Sequence, residues 1–264
     1  MPSTGSFCVL SDDLTACADL VRRADPERFL AAMAAPVAAR KVLFPLYAFN
    51  AEVARAPWVT EEAMIAEMRL QWWRDALEEI GGGGRVRRHE VTTPLAGVLD
   101  AEGAAVLDDL ILARRWDIYR DPFEDAAAFD DYLRKTSGHL MWAAARALGA
   151  GDELRPLVLE AGYAQGLANY LRAIPALEAA GRVPLVDGRA EAVQALARTG
   201  LTRLGETRGR LPKAIFPALL PAWKTAAVLK RAAADPQRVG AGALDISPLH
   251  SRLALMWRAS RGRW

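Results

Sequence analysis

Paired carboxylates are the residue types in this sequence best suited to metal chemistry, and they occur at Asp12-Asp13, Asp108-Asp109 and Asp130-Asp131. Carboxylates three or four residues apart share one helix face and can hold Mg²⁺, a hard ion that takes oxygen ligands. Each pair lacks a third carboxylate at that spacing, and helix-start and solvent roles account for them. His89, His139 and His250 are too scattered for a metal site, with no cysteine or acid pattern joining them. Cys8 and Cys17 match neither a zinc nor a redox spacing. No serine or cysteine has a paired histidine that would suggest a nucleophilic triad. Gly81–Gly84 is followed by Arg85-Val86, where a phosphate-binding loop needs Gly-Lys-Ser/Thr, so it is read as a flexible connection. Residue types alone give no catalytic set and no metal set.

The elements that would position any site read as helices almost throughout. Ser11-Asp12-Asp13 predicts an N-cap and acidic first turn for a helix over 12–24, and Asp25-Pro26 starts another, with Phe29, Leu30 and Met33 on one face. An apolar segment from Val37 to Ala56 is interrupted by Pro45, and Thr60 opens a helix running to Ile80. Further helices are expected at 94–120, 124–148, 152–180, 188–200, 212–233 and about 247–261. Adjacent Trp72 and Trp73 are 100° apart on a helix, so one packs inward and the other covers a neighbouring helix. No alternating strand pattern or fixed-period repeat stands out. The expectation is an all-α chain forming one domain over 1–264.

Composition agrees: 52% of residues are hydrophobic and 25% charged, ordinary for a globular chain with a sizeable core. Alanine abundance favours helix over sheet. Residues 1–20 lack the basic and apolar regions of a signal peptide, and no long uncharged apolar run predicts a transmembrane helix. A cytoplasmic chain is expected. Charge is uneven: residues 189–264 carry fourteen Lys/Arg against four Asp/Glu. Such asymmetry marks either a surface for anionic lipid or an acidic partner, or an arginine-rich solvated face. Within 247–264, Arg252, Arg258, Arg261 and Arg263 interleave with Leu253, Leu255, Met256, Trp257 and Trp264. This basic helix and tail can lie on an anionic membrane, which would place the chain peripherally on the inner membrane, or dock on the bundle with its arginines in water. No nucleic-acid partner is expected.

Three segments, in order, resemble the phytoene/squalene synthase family: Arg40 with Tyr47-Ala-Phe49; Tyr132 with Thr136-Ser137-Gly138-His139; and Gln165, Asn169 and Arg172 followed by Gly181-Arg182 and Pro184. The resemblance spans roughly residues 25–260 and implies a single-domain isoprenoid-synthase-like helical bundle around a central cavity. Family enzymes condense prenyl diphosphates, and two aspartate-rich motifs on facing helices hold the magnesium that ionises the diphosphate. Aligned on those motifs, the aspartates would fall at Ala54, Arg55 and Trp58, and at Ala173 and Leu177, with a flanking acid at Ala176. Glu52 and Glu178 are the nearby acids. Both motifs are therefore absent, and no catalytic residue, no metal ligand and no cofactor is expected.

The substitutions are similar to those of the family's non-catalytic branch, which serves assembly of respiratory NADH:ubiquinone oxidoreductase (complex I). That similarity rests on Phe49-Asn50-Ala-Glu52, Met68-Arg69-Leu-Gln71-Trp72-Trp73 and Leu171-Arg172-Ala173-Ile-Pro175. It implies a bacterial pseudoenzyme whose partner is a respiratory-complex subunit or other protein client, with a prenyl lipid or diphosphate as a further occupant of the cavity. The alternative is a prenyl-diphosphate-binding enzyme of squalene/phytoene-type biosynthesis, a prenyltransferase with an atypical metal-poor site, for which magnesium would be expected. Residues placed at the cavity by the resemblance are Arg40, Tyr47, Glu52, Arg55, Tyr132, His139, Gln165, Asn169 and Arg172. Arg40, Arg55 and Arg172 could grip an anion through guanidinium forks or pair structurally with acids such as Glu52. His139 could equally be a satisfied core histidine.

Overall fold

Three aspartates start helices by accepting hydrogen bonds from first-turn amides that have no helical partner. Asp25 accepts from the Arg28 amide, with Pro26 as the first helical residue; Asp100 accepts from Gly103, and Asp125 from Ala128. The computed structural model describes residues 5–264, with side chains from Asp12 onward. In chain order its helices are α1 (Gly5–Ala24), α2 (Pro26–Ala34), α3 (Val37–Arg55), α4 (Ala63–Gly81), α5 (Thr92–Ala96), α6 (Ala101–Arg114) and α7 (Ala126–Leu133). Then follow α8 (His139–Ala147), α9 (Arg155–Ala179), α10 (Ala190–Thr207), α11 (Phe216–Leu219), α12 (Thr225–Ala234), α13 (Gln237–Gly240) and α14 (Pro248–Ser260). There is no strand among the described residues.

Several boundaries differ from the sequence reading. The first helix begins at Gly5, so Ser11 lies within α1 and does not cap it; the Cys8 side chain lies outside those described. Pro45 sits inside α3, and Pro175 inside α9, without ending either helix. The cost of an interior proline is about 3 kcal/mol, and the burial of Pro45 among Phe44, Leu46 and Tyr47 works against it. The stretch 94–120 is divided because Gly97 ends α5 and Asp100 caps α6. The stretch 212–233 is divided into short turns, with Pro217 and Pro221 each starting one. At Gly81–Gly84 the chain makes a defined turn, and Gly83 adopts φ +67°, a conformation that favours glycine.

Between α7 and α8 the helix continues as a π turn over Arg134–Gly138, where the Thr136 hydroxyl donates to the Tyr132 carbonyl at 2.6 Å. Such bulges are frequent at functional sites. Here Tyr132, Leu133, Thr136 and Ser137 all face the same cavity.

The core forms two clusters. One is built from α1, α2, α3, α4, α6 and α8 and contains Phe49, Trp73 and the fully buried Trp142; the other is built from α7, α9, α10 and α12 around Tyr163, Leu167 and Leu171. α9 belongs to both, giving Val158 and Ala161 to the first and Tyr163 to Ile174 to the second. Trp73 packs edge-on against Phe49 at 5.5 Å, and Trp72 is half-buried beneath the Arg87 guanidinium at 5.1 Å. One tryptophan is in the core and the other covers the side of the bundle.

Candidate functional site

Besides the end of α7 and the π turn, four stretches converge on this cavity of about 460 Å³. α2 begins with Pro26, Glu27 and Arg28 immediately after the Asp25 cap. α3 ends with Ala54, and the turn after it presents Trp58. The end of α6 contributes Arg114, followed by Asp117. α9 lays Gly166, Asn169, Tyr170, Ala173 and Leu177 along the wall at helical spacing, with Arg172 at its edge.

Of the six positions that the family resemblance assigns to acids, four line this cavity, while Arg55 and the exposed Ala176 do not. Ala54 and Trp58 line one side, and Ala173 and Leu177 line α9. Arg55 does not join them: it is exposed and pairs with Glu52 at 3.4 Å on the outer side of α3. A helix turns 100° per residue, and at the end of α3 that step carries Arg55 from the cavity side, where Ala54 sits, to solvent.

Every charge that lines the cavity is compensated. The Arg28 guanidinium donates to Asp25 at 2.6 Å. Arg172 donates to both carboxylate oxygens of Glu27, at 2.9 and 3.1 Å, and its Nε donates to Asp245 at 2.6 Å. The Lys224 ammonium also donates to Glu27. Arg114 donates to Asp117 at 2.9 Å and to the Tyr132 hydroxyl at 2.8 Å, and that hydroxyl donates to the other Asp117 oxygen at 2.9 Å. Burial pushes the Tyr132 phenol well above its ordinary value, so it stays a neutral donor. Burial opposes charge on Arg114 and Arg172, but their acid partners outweigh it and hold both guanidinium groups protonated. Arg182 is buried without a carboxylate: it donates to the backbone carbonyls of Asp117 and Tyr119 and lies 4.7 Å from the Trp58 ring centroid. That contact anchors Trp58 at the cavity edge through cation–π attraction.

Of the nine residues proposed from sequence, Tyr132, Asn169 and Arg172 line the cavity. The other six do not. Arg40 donates to the Met33 and Ala35 carbonyls, so it closes the C-terminal end of α2. Tyr47 lies behind the cavity wall, with the Arg28 guanidinium 5.8 Å from its ring. Glu52 is occupied with Arg55 on the outside of α3. His139 is buried with Nδ1 3.1 Å from the Val106 carbonyl, the bond of a structural histidine in its Nδ1–H tautomer. Gln165 is buried on α9 and does not line the cavity, although its neighbour Gly166 does. The other residues that supply the cavity's charge besides Arg172, namely Asp25, Glu27, Arg28, Arg114 and Asp117, are not among the sequence candidates. Asp25-Pro26 signalled only a helix start, although the Arg114–Asp117 spacing of three is a helix-pair signal.

A magnesium cluster does not fit this donor set. Mg²⁺ needs carboxylate oxygens with open lone pairs, and the three acids here are engaged by Arg28, by Arg172 with Lys224, and by Arg114. Among the described residues, no three His, Cys, Asp or Glu side chains come together in a way that could hold a metal ion. The arrangement can instead pack an apolar group against Ala54, Ala173 and Leu177 and offer polar contacts from Asn169 and Ser137.

Comparison with known proteins extends this picture. The family model described as squalene/phytoene synthase matches residues 21–187. Two solved structures share the architecture. A dehydrosqualene synthase in complex with ligand superposes with a TM-score of 0.77 over 97% of this chain and 98% of its own, at 14% identity. Squalene synthase HpnC from Alicyclobacillus acidocaldarius gives 0.60 over 96% and 95%, at 19% identity. By sequence the chain is similar to NADH dehydrogenase (ubiquinone) complex I, assembly factor 6, of Homo sapiens, 28% identical over 172 residues, or 60% of this chain and 48% of that one. The Drosophila melanogaster homolog is 29% identical over 166 residues, or 60% and 50%. The chain thus spans about half the length of the curated relatives it matches.

Proposed function

This chain belongs to the squalene/phytoene synthase family, and from that premise we propose that it is a non-catalytic member that assists assembly of respiratory NADH:ubiquinone oxidoreductase by binding a subunit or a lipid. One observation carries the reading. Ala54, Trp58, Ala173 and Leu177 face the cavity where a catalytic relative would need carboxylates, and the cavity's own acids are tied to arginine and lysine. A hard divalent cation would have to break those pairs to gain ligands. Similarity to complex I assembly factor 6 supports the second half of the proposal.

A second reading is favoured by the retained volume. About 460 Å³ lined by Arg28, Arg114 and Arg172 could hold a prenyl diphosphate, with guanidinium groups taking the place of magnesium. Each arginine would then have to exchange an acid partner for the ligand. Deleting the gene and measuring NADH:ubiquinone oxidoreductase in the source organism's membranes tests the first reading. The expected result is a fall in assembled complex, restored by re-expression. Unchanged complex levels, with a change in isoprenoid products, would favour the second reading.

A further inference from the structure

We propose that the outer face of α14 is a docking surface for an anionic lipid bilayer. This goes beyond the assembly role, because no residue of α14 lines the cavity. The helix carries apolar residues on two sides. Its inner side holds the buried Leu255 and the half-buried Ser251, Ala254 and Arg258. That side rests on α2 and the Leu220–Ala222 turn, and the Trp223 indole donates to the Ser251 hydroxyl at 3.1 Å. Docking on the bundle therefore occurs, but it uses only one side of α14.

The other side is unpartnered. Leu249, Leu253, Met256 and Trp257 are 66%, 55%, 67% and 51% exposed. At 100° per residue they fall within an arc of roughly 100°, on the side away from Leu255. Single exposed apolar residues are ordinary, but a continuous stripe along a helix marks an interaction surface.

Charge selects the occupant. Exposed Arg252 flanks one edge of the stripe, and exposed His250 and Arg261 flank the other. The Arg261 guanidinium lies 4.3 Å from the Trp257 ring centroid, which keeps a cation beside the aromatic residue. Residues 246–264 hold four arginines and no carboxylate. Apolar side chains can enter the acyl boundary while arginines meet lipid phosphates and Trp257 sits at headgroup level. A second copy of the chain is disfavoured, since pairing two such stripes would bring arginines against arginines. Because α14 rests on α2, the bilayer would lie near the helix that supplies Glu27 and Arg28 to the cavity.

Co-sedimentation of the full chain with vesicles tests this, using phosphatidylcholine alone or mixed with phosphatidylglycerol. The expected result is binding at least about tenfold tighter to the mixed vesicles, weakened by added salt. Leu253→Ser/Met256→Ser and Arg252→Gln/Arg261→Gln should each lower that affinity by about tenfold or more, with melting temperature unchanged because these side chains are exposed. Equal affinity for neutral and anionic vesicles, no binding, or variants that bind like wild type would overturn the proposal. So would a dimer in sedimentation that Leu253→Glu separates, since the stripe would then belong to a second copy.

Discussion

The carboxylate of Glu27 at the start of α2 is held by the guanidinium of Arg172 on α9 through hydrogen bonds of 2.9 and 3.1 Å. The same carboxylate meets the ammonium of Lys224, whose side chain is largely buried. One acid therefore ties together α2, α9 and the residue before α12 at the edge of the cavity. Its oxygens are committed to holding the bundle closed, which is a structural use of a carboxylate.

Glu27→Gln should destabilise the protein by about 1–3 kcal/mol, less than for a fully buried pair because Glu27 is 37% exposed. Much of the loss would come from leaving the Lys224 ammonium without its acid. Adding Lys224→Met should therefore recover part of the stability lost in Glu27→Gln. Urea unfolding of the three variants checks this; a double variant less stable than the single one contradicts it.

Two glycines on long helices should respond oppositely to alanine. A Cβ at Gly162 on α9 would fall 2.6 Å from the Gly138 Cα and 2.9 Å from the Ser137 carbonyl, both backbone atoms of the π turn. Gly162→Ala should cost about 1–3 kcal/mol or more by forcing α9 off that turn. A Cβ at Gly205 on α10 would meet nothing within 4 Å, and the backbone there has no positive φ. Gly205→Ala should stabilise by about 0.5–1 kcal/mol through helix propensity and chain entropy. Thermal melts of the two variants measure both signs.

Acid sensitivity should involve His139. Burial holds its pKa below the ordinary 6.5, despite the opposing pull of Asp109 and the Val106 carbonyl. Above pH 6.5 the ring is neutral in both folded and unfolded chains, and its contribution to stability is intact. As pH falls through that value the unfolded chain takes up the proton first, and stability drops by at most about 1.4 kcal/mol per pH unit. The contribution is lost completely once pH passes the folded value. His139→Gln should flatten the slope of stability against pH in this window, as read from urea midpoints between neutral and mildly acidic buffers. An identical slope in the variant would show that His139 is not the group responsible.

The helical character was legible because it rests on local signals: alanine content, the Asp25-Pro26 start and the spacing of Phe29, Leu30 and Met33. α14 was placed within a residue of its observed ends because proline and serine mark its start. Breaks inside long apolar stretches were not legible, because a proline can end a helix or lie within one, as Pro45 and Pro175 do. The site divided in the same way. Ala54, Trp58, Ala173 and Leu177 were placed by motif alignment, and the fold brings them to one cavity. Glu27 and Asp245 are far from Arg172 in sequence, as Lys224 is from Glu27, and only tertiary packing brings these partners together. Arg40 and Arg55 were misplaced because the direction of a side chain on α3 depends on which face the helix buries, and motif order does not specify that.

Titration with farnesyl diphosphate in the presence and absence of Mg²⁺, with released diphosphate measured in parallel, tests the central claim most directly. The claim is that this cavity has exchanged metal ligation for internally paired charge. It predicts that Mg²⁺ leaves any binding unchanged and that no diphosphate is released. Tight magnesium-dependent binding accompanied by diphosphate release would contradict it.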